Sequence, residues 1–170
     1  MATKLSILCV HGVGHGDSDT ALAPVWTDAI SANLRRFSPA LDLDFDFFRY
    51  DDLFDHAPLD GKVYAAALAR LLASGLVHGL ADLLPSTRGL FDVPDQIRWT
   101  AGMVAQWASE DDLRSALRQR LLKKLQERAF AVVCAHSLGS LVCYDTLRRN
   151  PGGLGDKTFV TFGSQIGNPF

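Results

Sequence analysis

The chain has 170 residues, of which 48% are hydrophobic and 21% are charged, as in an ordinary globular protein that can bury a core of its own. Its net charge of −2 and pI near 6.2 leave no basic field, which excludes partners such as nucleic acid or anionic lipid surfaces recognised through charge. The length predicts a single domain over residues 1–170.

The cysteine pattern and the apolar segments indicate the cellular compartment of the protein. Cys9, Cys134 and Cys143 are scattered through apolar runs, which predicts reduced core thiols in a cytoplasmic protein. No Cys-x-x-Cys pair or Cys/His cluster has zinc-ligand spacing, and we expect neither a metal nor a cofactor. The N-terminal apolar run is too short for a signal peptide, and charged residues interrupt the longest later run, so we expect no transmembrane segment.

The first part of the chain predicts a strand, a helix and a strand. Lys4–Val10 is a continuous apolar run, typical of a strand buried on both faces of a parallel sheet. Apolar residues at helical spacing predict a helix over residues 21–37, with Asp19 or Thr20 as its N-cap. Apolar and acidic residues alternate over residues 41–50, which predicts a half-exposed strand near the edge of the sheet.

The middle of the chain predicts helices. Residues 61–84 have the spacing of one helix, or of two helices broken by glycines, and residues 95–107 predict another. The clearest helix is SEDDLRSALRQRLLKKLQER, with acids in its first turn, bases in its last turn and a leucine at every fourth position. We expect Ser109 or Asp111 to cap it. We expect residues 53–110 to form a helical, lid-like insertion.

The last part predicts a strand, a helix and a strand again. FAVVCAHS is a second buried strand, LGSLVCYDTLRRN is a helix that Pro151 ends, and KTFVTFGSQIG is a last buried strand with its exit loop. Strands that alternate with helices imply right-handed crossovers and a mostly parallel sheet. The predicted fold class is therefore α/β, a three-layer sandwich around a mostly parallel sheet.

Ser137 is the candidate nucleophile. Its surroundings, Ala135-His136-Ser137-Leu138-Gly139, match the G-x-S-x-G pattern with alanine in the first position. A serine on a tight strand-to-helix turn has a strained backbone, and the residues two before and two after it must be small. The turn also brings the free N–H groups of the new helix, starting near Leu138, beside the serine oxygen, where they can hold an oxyanion. The alternative is an ordinary serine N-cap between a strand and a helix.

A glycine-rich loop, HGVGHG, follows the first strand. Gly12 and Gly14 let the backbone approach a bound group closely and leave the Val13 N–H free to point inward. The alternative is a dinucleotide-binding loop, but the third glycine is misplaced for G-x-G-x-x-G and no acidic residue clearly ends a second strand at the expected distance. A Walker loop is excluded because no Lys-Ser or Lys-Thr follows.

Together, the HGVG loop and the AHSLG elbow resemble the α/β-hydrolase fold superfamily, in particular its lipase- and esterase-like members. TFVTFGSQIGNP is similar to the strand that follows the nucleophile helix in that family. The resemblance covers the first strand with its loop and everything from about Leu113 onward, but not residues 53–94. It implies an incomplete α/β-hydrolase core in which Ser137 is the nucleophile and the backbone N–H groups of Val13 and Leu138 form the oxyanion hole. The candidates to line the pocket for a small ester or lipid-like substrate are His11, Gly12, Gly14, His15 and His136.

The triad of this family follows the order serine, acid, histidine. No histidine follows Ser137, and neither Asp145 nor Asp156 matches the position of the family's acid. We therefore expect the acid and the histidine beyond residue 170, in a missing C-terminal part of the same polypeptide, and an isolated chain that is inactive. The expected protein is a cytoplasmic serine hydrolase that cleaves carboxylic esters. The alternative is a non-catalytic lipid- or protein-binding module on a hydrolase fold. The incomplete triad and the apolar residues 63–84 favour this alternative.

Overall fold

The computed structural model of the chain describes residues 4–12, 19–54, 95–153, 155–164 and 166. The helices and strands follow the order β1 (Lys4–Val10), α1 (Asp19–Phe37), β2 (Asp42–Phe48), α2 (Asp95–Ser109), α3 (Asp111–Glu127), β3 (Val132–His136), α4 (Leu138–Arg149) and β4 (Thr158–Phe162). Short 3-10 turns follow β2 at Asp51–Leu53 and α4 at Pro151–Gly153.

The four strands form one parallel sheet in the order β2-β1-β3-β4. β1, the apolar run predicted to be buried on both faces, is a central strand that pairs with both β2 and β3. Among the strands in the described ranges, β2, which alternates acidic and apolar residues, lies at an edge of the sheet, as predicted. The predicted α/β class and the parallel sheet are therefore confirmed.

Side chains alternate across the strands and build an apolar core on each face of the sheet. On one face, Leu8 and Val10 of β1 belong to a large cluster with buried residues of α2, α3 and α4. On the opposite face, Ile7 and Cys9 pack with Trp26, Ile30 and Leu34 of α1. Helices thus cover both faces of the sheet, and the elements form three layers.

α3 is the helix that the leucine repeat predicts, but its cap differs from the prediction. The leucines are buried as expected: Leu113, Leu117, Leu121 and Leu125. Neither Ser109 nor Asp111 caps α3, because α2 extends to Ser109 and leaves Glu110 alone between the two helices. The Ser109 hydroxyl donates backward to the Ala105 carbonyl at 2.8 Å, so it is engaged in α2, and Glu110 makes no side-chain cap hydrogen bond.

Charged side chains line the β2 edge of the sheet. Asp44 lies 3.2 Å from Lys4 and 2.9 Å from Arg128, and Asp46 lies 2.9 Å from Lys124. The hydrogen bond from Lys4, joined by Arg128, holds the pKa of Asp44 below its ordinary value. Charges at an edge strand oppose pairing with another chain, so this edge is protected.

β4 was predicted to be buried, and this prediction is wrong. Its residues alternate between exposed and half-buried, and the side chains of Val160 and Phe162 are 43% and 40% exposed. Burial of a strand depends on what packs beside it and above it. Within the described ranges, β4 pairs with β3 on one side only, and the Trp26 ring of α1 contacts the Phe162 ring of β4.

Most of the predicted insertion, residues 55–94 with the helix expected at 61–84, lies outside the described residues. Its described end is α2, where Met103 and Val104 are fully buried in the larger core. Among the helices in the described ranges, none is both long enough and apolar enough to cross a membrane.

All three thiols are buried and none forms a disulfide, as the cysteine pattern predicts. Burial, together with Cys134 and Asp46 nearby, raises the pKa of Cys9 to about 12. Burial also raises the pKa of Cys134, and burial together with Cys134 nearby raises that of Cys143. Because the thiolate is the nucleophilic form, we expect the folded chain to react with Ellman's reagent at pH 8 only over hours.

The matched measurement is the same assay in guanidinium chloride, where all three thiols should react within minutes. A thiol that reacts equally fast in the folded chain would contradict the burial described above.

The same pKa shifts predict how the free energy of unfolding changes with pH. The unfolded chain releases its thiol protons near 9.0, whereas folded Cys9 holds its proton to about 12, so the free energy of unfolding should fall as pH rises through this window.

Candidate active site at the carboxyl edge of the sheet

Ser137 joins β3 to α4 in a backbone conformation that ordinary residues avoid. Its φ is 50° and its ψ is −123°, and among the described residues it is the one non-glycine residue with positive φ. These angles are those of the first central residue of a type II′ turn, a position that glycine favours. A non-glycine residue held there costs about 1–3 kcal/mol. The strained turn expected from the sequence is therefore present.

The positions on either side of the elbow leave no room for larger residues. A Cβ at Gly139 would lie 2.2 Å from the His11 carbonyl oxygen and 2.7 Å from that of Val10. Ala135, two residues before Ser137, is fully buried in the core. The first turn of α4 thus lies directly against the end of β1, and this close approach requires the glycine.

The elbow is held from the β4 side by hydrogen bonds that sequence reasoning missed. The Ser137 N–H donates to the Phe162 carbonyl at 3.3 Å. The fully buried Ser140 hydroxyl donates to the Ser137 carbonyl and lies 3.0 Å from the Ser164 hydroxyl oxygen. Ser140 and Ser164 lie 24 positions apart in the sequence. Local sequence patterns therefore do not predict their contact.

The loop after β1 lies against Ser137. A Cβ at Gly12 would lie 2.8 Å from the Ser137 Cβ and 3.1 Å from the His136 Nδ1. Of the predicted site residues, the structure therefore brings together those that it describes: His11, Gly12, His136, Ser137 and Leu138. Val13, Gly14 and His15 lie outside the described residues.

Leu138 is the first residue of α4, and its side chain is fully buried. The N–H groups of a helix's first turn have no partner within the helix and lie at the positive end of its dipole. The Leu138 N–H is therefore of the kind that can receive a negative oxygen next to Ser137.

His136 packs among aromatic rings at the end of β3. Its ring centre lies 5.0 Å from that of Phe162 and 6.1 Å from that of Trp26. A Cβ at Gly163 would come within 2.9 Å of its Nε2, so the ring lies against the backbone that leaves β4. The imidazole fills the space between the loops after β1 and β4.

His11 is buried at the end of β1, in the structural setting predicted for it. Its ring stacks on Tyr50 with the centroids 4.6 Å apart and the planes 6° apart, and its Nε2 lies 3.8 Å from the Asp51 carboxylate. Tyr50 and Asp51 were not among the predicted site residues. One signal could have found them, because they follow β2 directly and the carboxyl ends of parallel strands meet at one edge of the sheet.

Asp145, an acidic residue of α4, forms two ion pairs. Its carboxylate lies 2.7 Å from Arg118 of α3 and 2.9 Å from Arg149. Partial burial raises the pKa of Asp145, but the hydrogen bonds from the two arginines outweigh it and hold the pKa below its ordinary value. In the part of the chain that the structure describes, no group of three or more His, Cys, Asp or Glu side chains could hold a metal ion.

No protein-family model matches the sequence, and neither a curated protein nor a solved structure matches it. The likeness to α/β hydrolases consequently rests on the two sequence motifs.

Proposed function

We propose that the protein is a serine hydrolase that cleaves carboxylic esters, with Ser137 as its nucleophile. The observation that carries this proposal is the strained backbone of Ser137 on a strand-to-helix turn. Strain of this size persists where the surrounding structure enforces it, and such residues cluster at active sites. An ordinary N-cap residue has extended backbone angles and accepts a hydrogen bond from the helix, whereas Ser137 has positive φ and makes no side-chain cap hydrogen bond.

In the proposed reaction, the Ser137 hydroxyl gives its proton to the activating histidine while its oxygen attacks the ester carbonyl carbon, and the carbonyl oxygen becomes an oxyanion. The ester C–O bond then breaks, the leaving alcohol takes the proton from the histidine, and water hydrolyses the acyl-enzyme. The Leu138 N–H, at the positive end of α4, stabilises the charge of the oxyanion. The family resemblance assigns the second donor to the Val13 N–H, and the approach of Gly12 to the Ser137 Cβ supports a role for this loop beside the nucleophile. A single donor of this kind is worth about 10²–10³ in rate.

A serine hydroxyl needs a base to react at neutral pH. We place the activating histidine and its acid in sequence beyond residue 170, as the family resemblance implies. The packed ring of His136 and the two arginines on Asp145 support this choice, because both groups already serve the fold. The proposal includes an α/β-hydrolase core, a lid-like insertion at residues 53–110 and a cytoplasmic location, with a small ester or lipid-like molecule as substrate.

Labelling by a fluorophosphonate probe tests the proposed function. We expect the whole product of the gene to be labelled one-to-one, and Ser137→Ala to abolish labelling because the probe reacts only with an activated serine. Ser109→Ala, which removes an exposed hydroxyl at the end of α2, is the matched control and should label like the unchanged protein. Equal labelling of Ser137→Ala would reject the nucleophile. Absence of labelling in the unchanged protein would favour the non-catalytic binding module.

A further inference from the structure

We propose that Tyr50 is a positioning residue that orients the backbone of the oxyanion loop against Ser137, a role that rests on the proposed function. Tyr50 follows β2, directly before the 3-10 turn at Asp51–Leu53, and its side chain is fully buried. It is therefore placed at the same carboxyl edge of the sheet as the loop after β1, although 38 residues separate it from Gly12.

The Tyr50 hydroxyl binds the backbone of this loop. It donates to the His11 carbonyl oxygen at 2.7 Å and lies 3.4 Å from the Gly12 carbonyl oxygen. The His11 Nδ1 lies 2.6 Å from the same Gly12 oxygen, and because a carbonyl only accepts, this bond requires the proton on Nδ1. Two consecutive carbonyl groups are thus held by one tyrosine and by the imidazole stacked on it.

The tyrosine ring is itself held firmly. It lies between the His11 ring, stacked at 4.6 Å, and the ring of Phe48, at 5.6 Å, and the ring of Phe54 lies 6.0 Å away. Phe48 and Phe54 are both buried in the larger core. The hydroxyl position is therefore fixed by packing, and it holds the carbonyl groups of His11 and Gly12 in place.

The orientation of the Gly12 carbonyl matters because of peptide planarity. In a trans peptide, the N–H of the following residue points away from the carbonyl oxygen, so a group that fixes the carbonyl also fixes the direction of the next N–H. The N–H that follows Gly12 is the second oxyanion donor in the proposed mechanism. Gly12 also lies against the Ser137 Cβ, so the hydrogen bonds from Tyr50 and His11 fix the Gly12 carbonyl beside the nucleophile, and the N–H that follows takes its direction from that carbonyl.

Tyr50→Phe tests the role, because it removes the hydroxyl and keeps the stacked ring. In the whole product of the gene, we expect kcat for a p-nitrophenyl ester and the rate of fluorophosphonate labelling to fall about tenfold, with KM unchanged, because the misplaced donor acts mainly in the transition state. The lost buried hydrogen bond should also lower Tm by about 3 °C. Tyr144→Phe, at a tyrosine of α4 that is 42% exposed, is the matched control. It should leave kcat, the labelling rate and Tm unchanged.

Two outcomes separate the role of Tyr50 from the proposed function. If Tyr50→Phe labels like Tyr144→Phe while Ser137→Ala does not label, the hydrolase stands and the positioning role is overturned. If the unchanged protein does not label, NMR of the loop still decides. The positioning role then requires Tyr50→Phe, but not Tyr144→Phe, to shift the His11 carbonyl carbon and the Val13 amide resonances, and an unshifted Val13 amide overturns it.

Discussion

Gly139→Ala should lower the free energy of unfolding by about 3 kcal/mol, or prevent folding altogether. The new Cβ would lie 2.2 Å from the His11 carbonyl oxygen and 2.7 Å from that of Val10, and both are backbone atoms at the end of the central strand. α4 would have to move away from β1. In a helix without this clash, alanine would be more stable than glycine by about 1 kcal/mol. A loss of stability in Gly139→Ala would therefore result from the steric clash. Chemical denaturation measures the difference.

The matched control for this substitution is Gly152→Ala in the turn after α4. No atom lies within 4 Å of the position that a Cβ would take there, so the free energy of unfolding should change by no more than about 0.5 kcal/mol. If the two variants are equally stable, α4 does not begin against the end of β1, and the elbow geometry derived for Ser137 is wrong.

Ser137→Gly should abolish activity and still yield a more stable protein than Ser137→Ala. Both substitutions remove the hydroxyl, so both should lose ester hydrolysis and fluorophosphonate labelling by a factor of about 10³ or more. Only glycine relieves the strain at φ 50°, which costs about 1–3 kcal/mol in a residue with a Cβ. Glycine also loses about 0.5–1 kcal/mol more backbone entropy on folding. The net expectation is a free energy of unfolding about 1 kcal/mol higher for the glycine variant.

Thermal and chemical denaturation of the two variants, side by side, measure this difference. An alanine variant more stable than the glycine variant would mean that the strain at Ser137 is smaller than the backbone entropy of about 0.5–1 kcal/mol that glycine loses, and the main support for a nucleophile at this position would be lost. A glycine variant that is more stable than the alanine variant would show that a residue with a Cβ is strained at this position.

Much of the fold follows from local patterns in the sequence. β1 occupies the range predicted for it, Lys4–Val10, because a continuous apolar run describes a strand with both faces covered. The spacing of small residues around Ser137 predicted a strained turn because the steric demand of such a turn acts on its immediate neighbours in the sequence. Predictions of this kind depend on a few consecutive residues and were confirmed.

Other features depend on contacts that no local pattern encodes. The apolar alternation of β4 does not reveal how much of its surface its neighbours leave exposed, and Val160 and Phe162 proved half-exposed. The cap of α3 depended on how far α2 extends, and Tyr50 reaches the loop at His11 only once β2 pairs with β1. Such residues can be found from sequence only by first placing the strand ends at one edge of the sheet.

The most direct test of the central claim is to locate the covalent adduct. After labelling of the whole gene product with a fluorophosphonate, tryptic cleavage after Arg128 and Arg148 releases a peptide that contains Ser137 and Ser140 as its serines. Fragment ions from mass spectrometry distinguish the two. We predict the adduct mass on Ser137. An adduct on Ser140, or on a serine of another peptide, would contradict the assignment of Ser137 as the nucleophile.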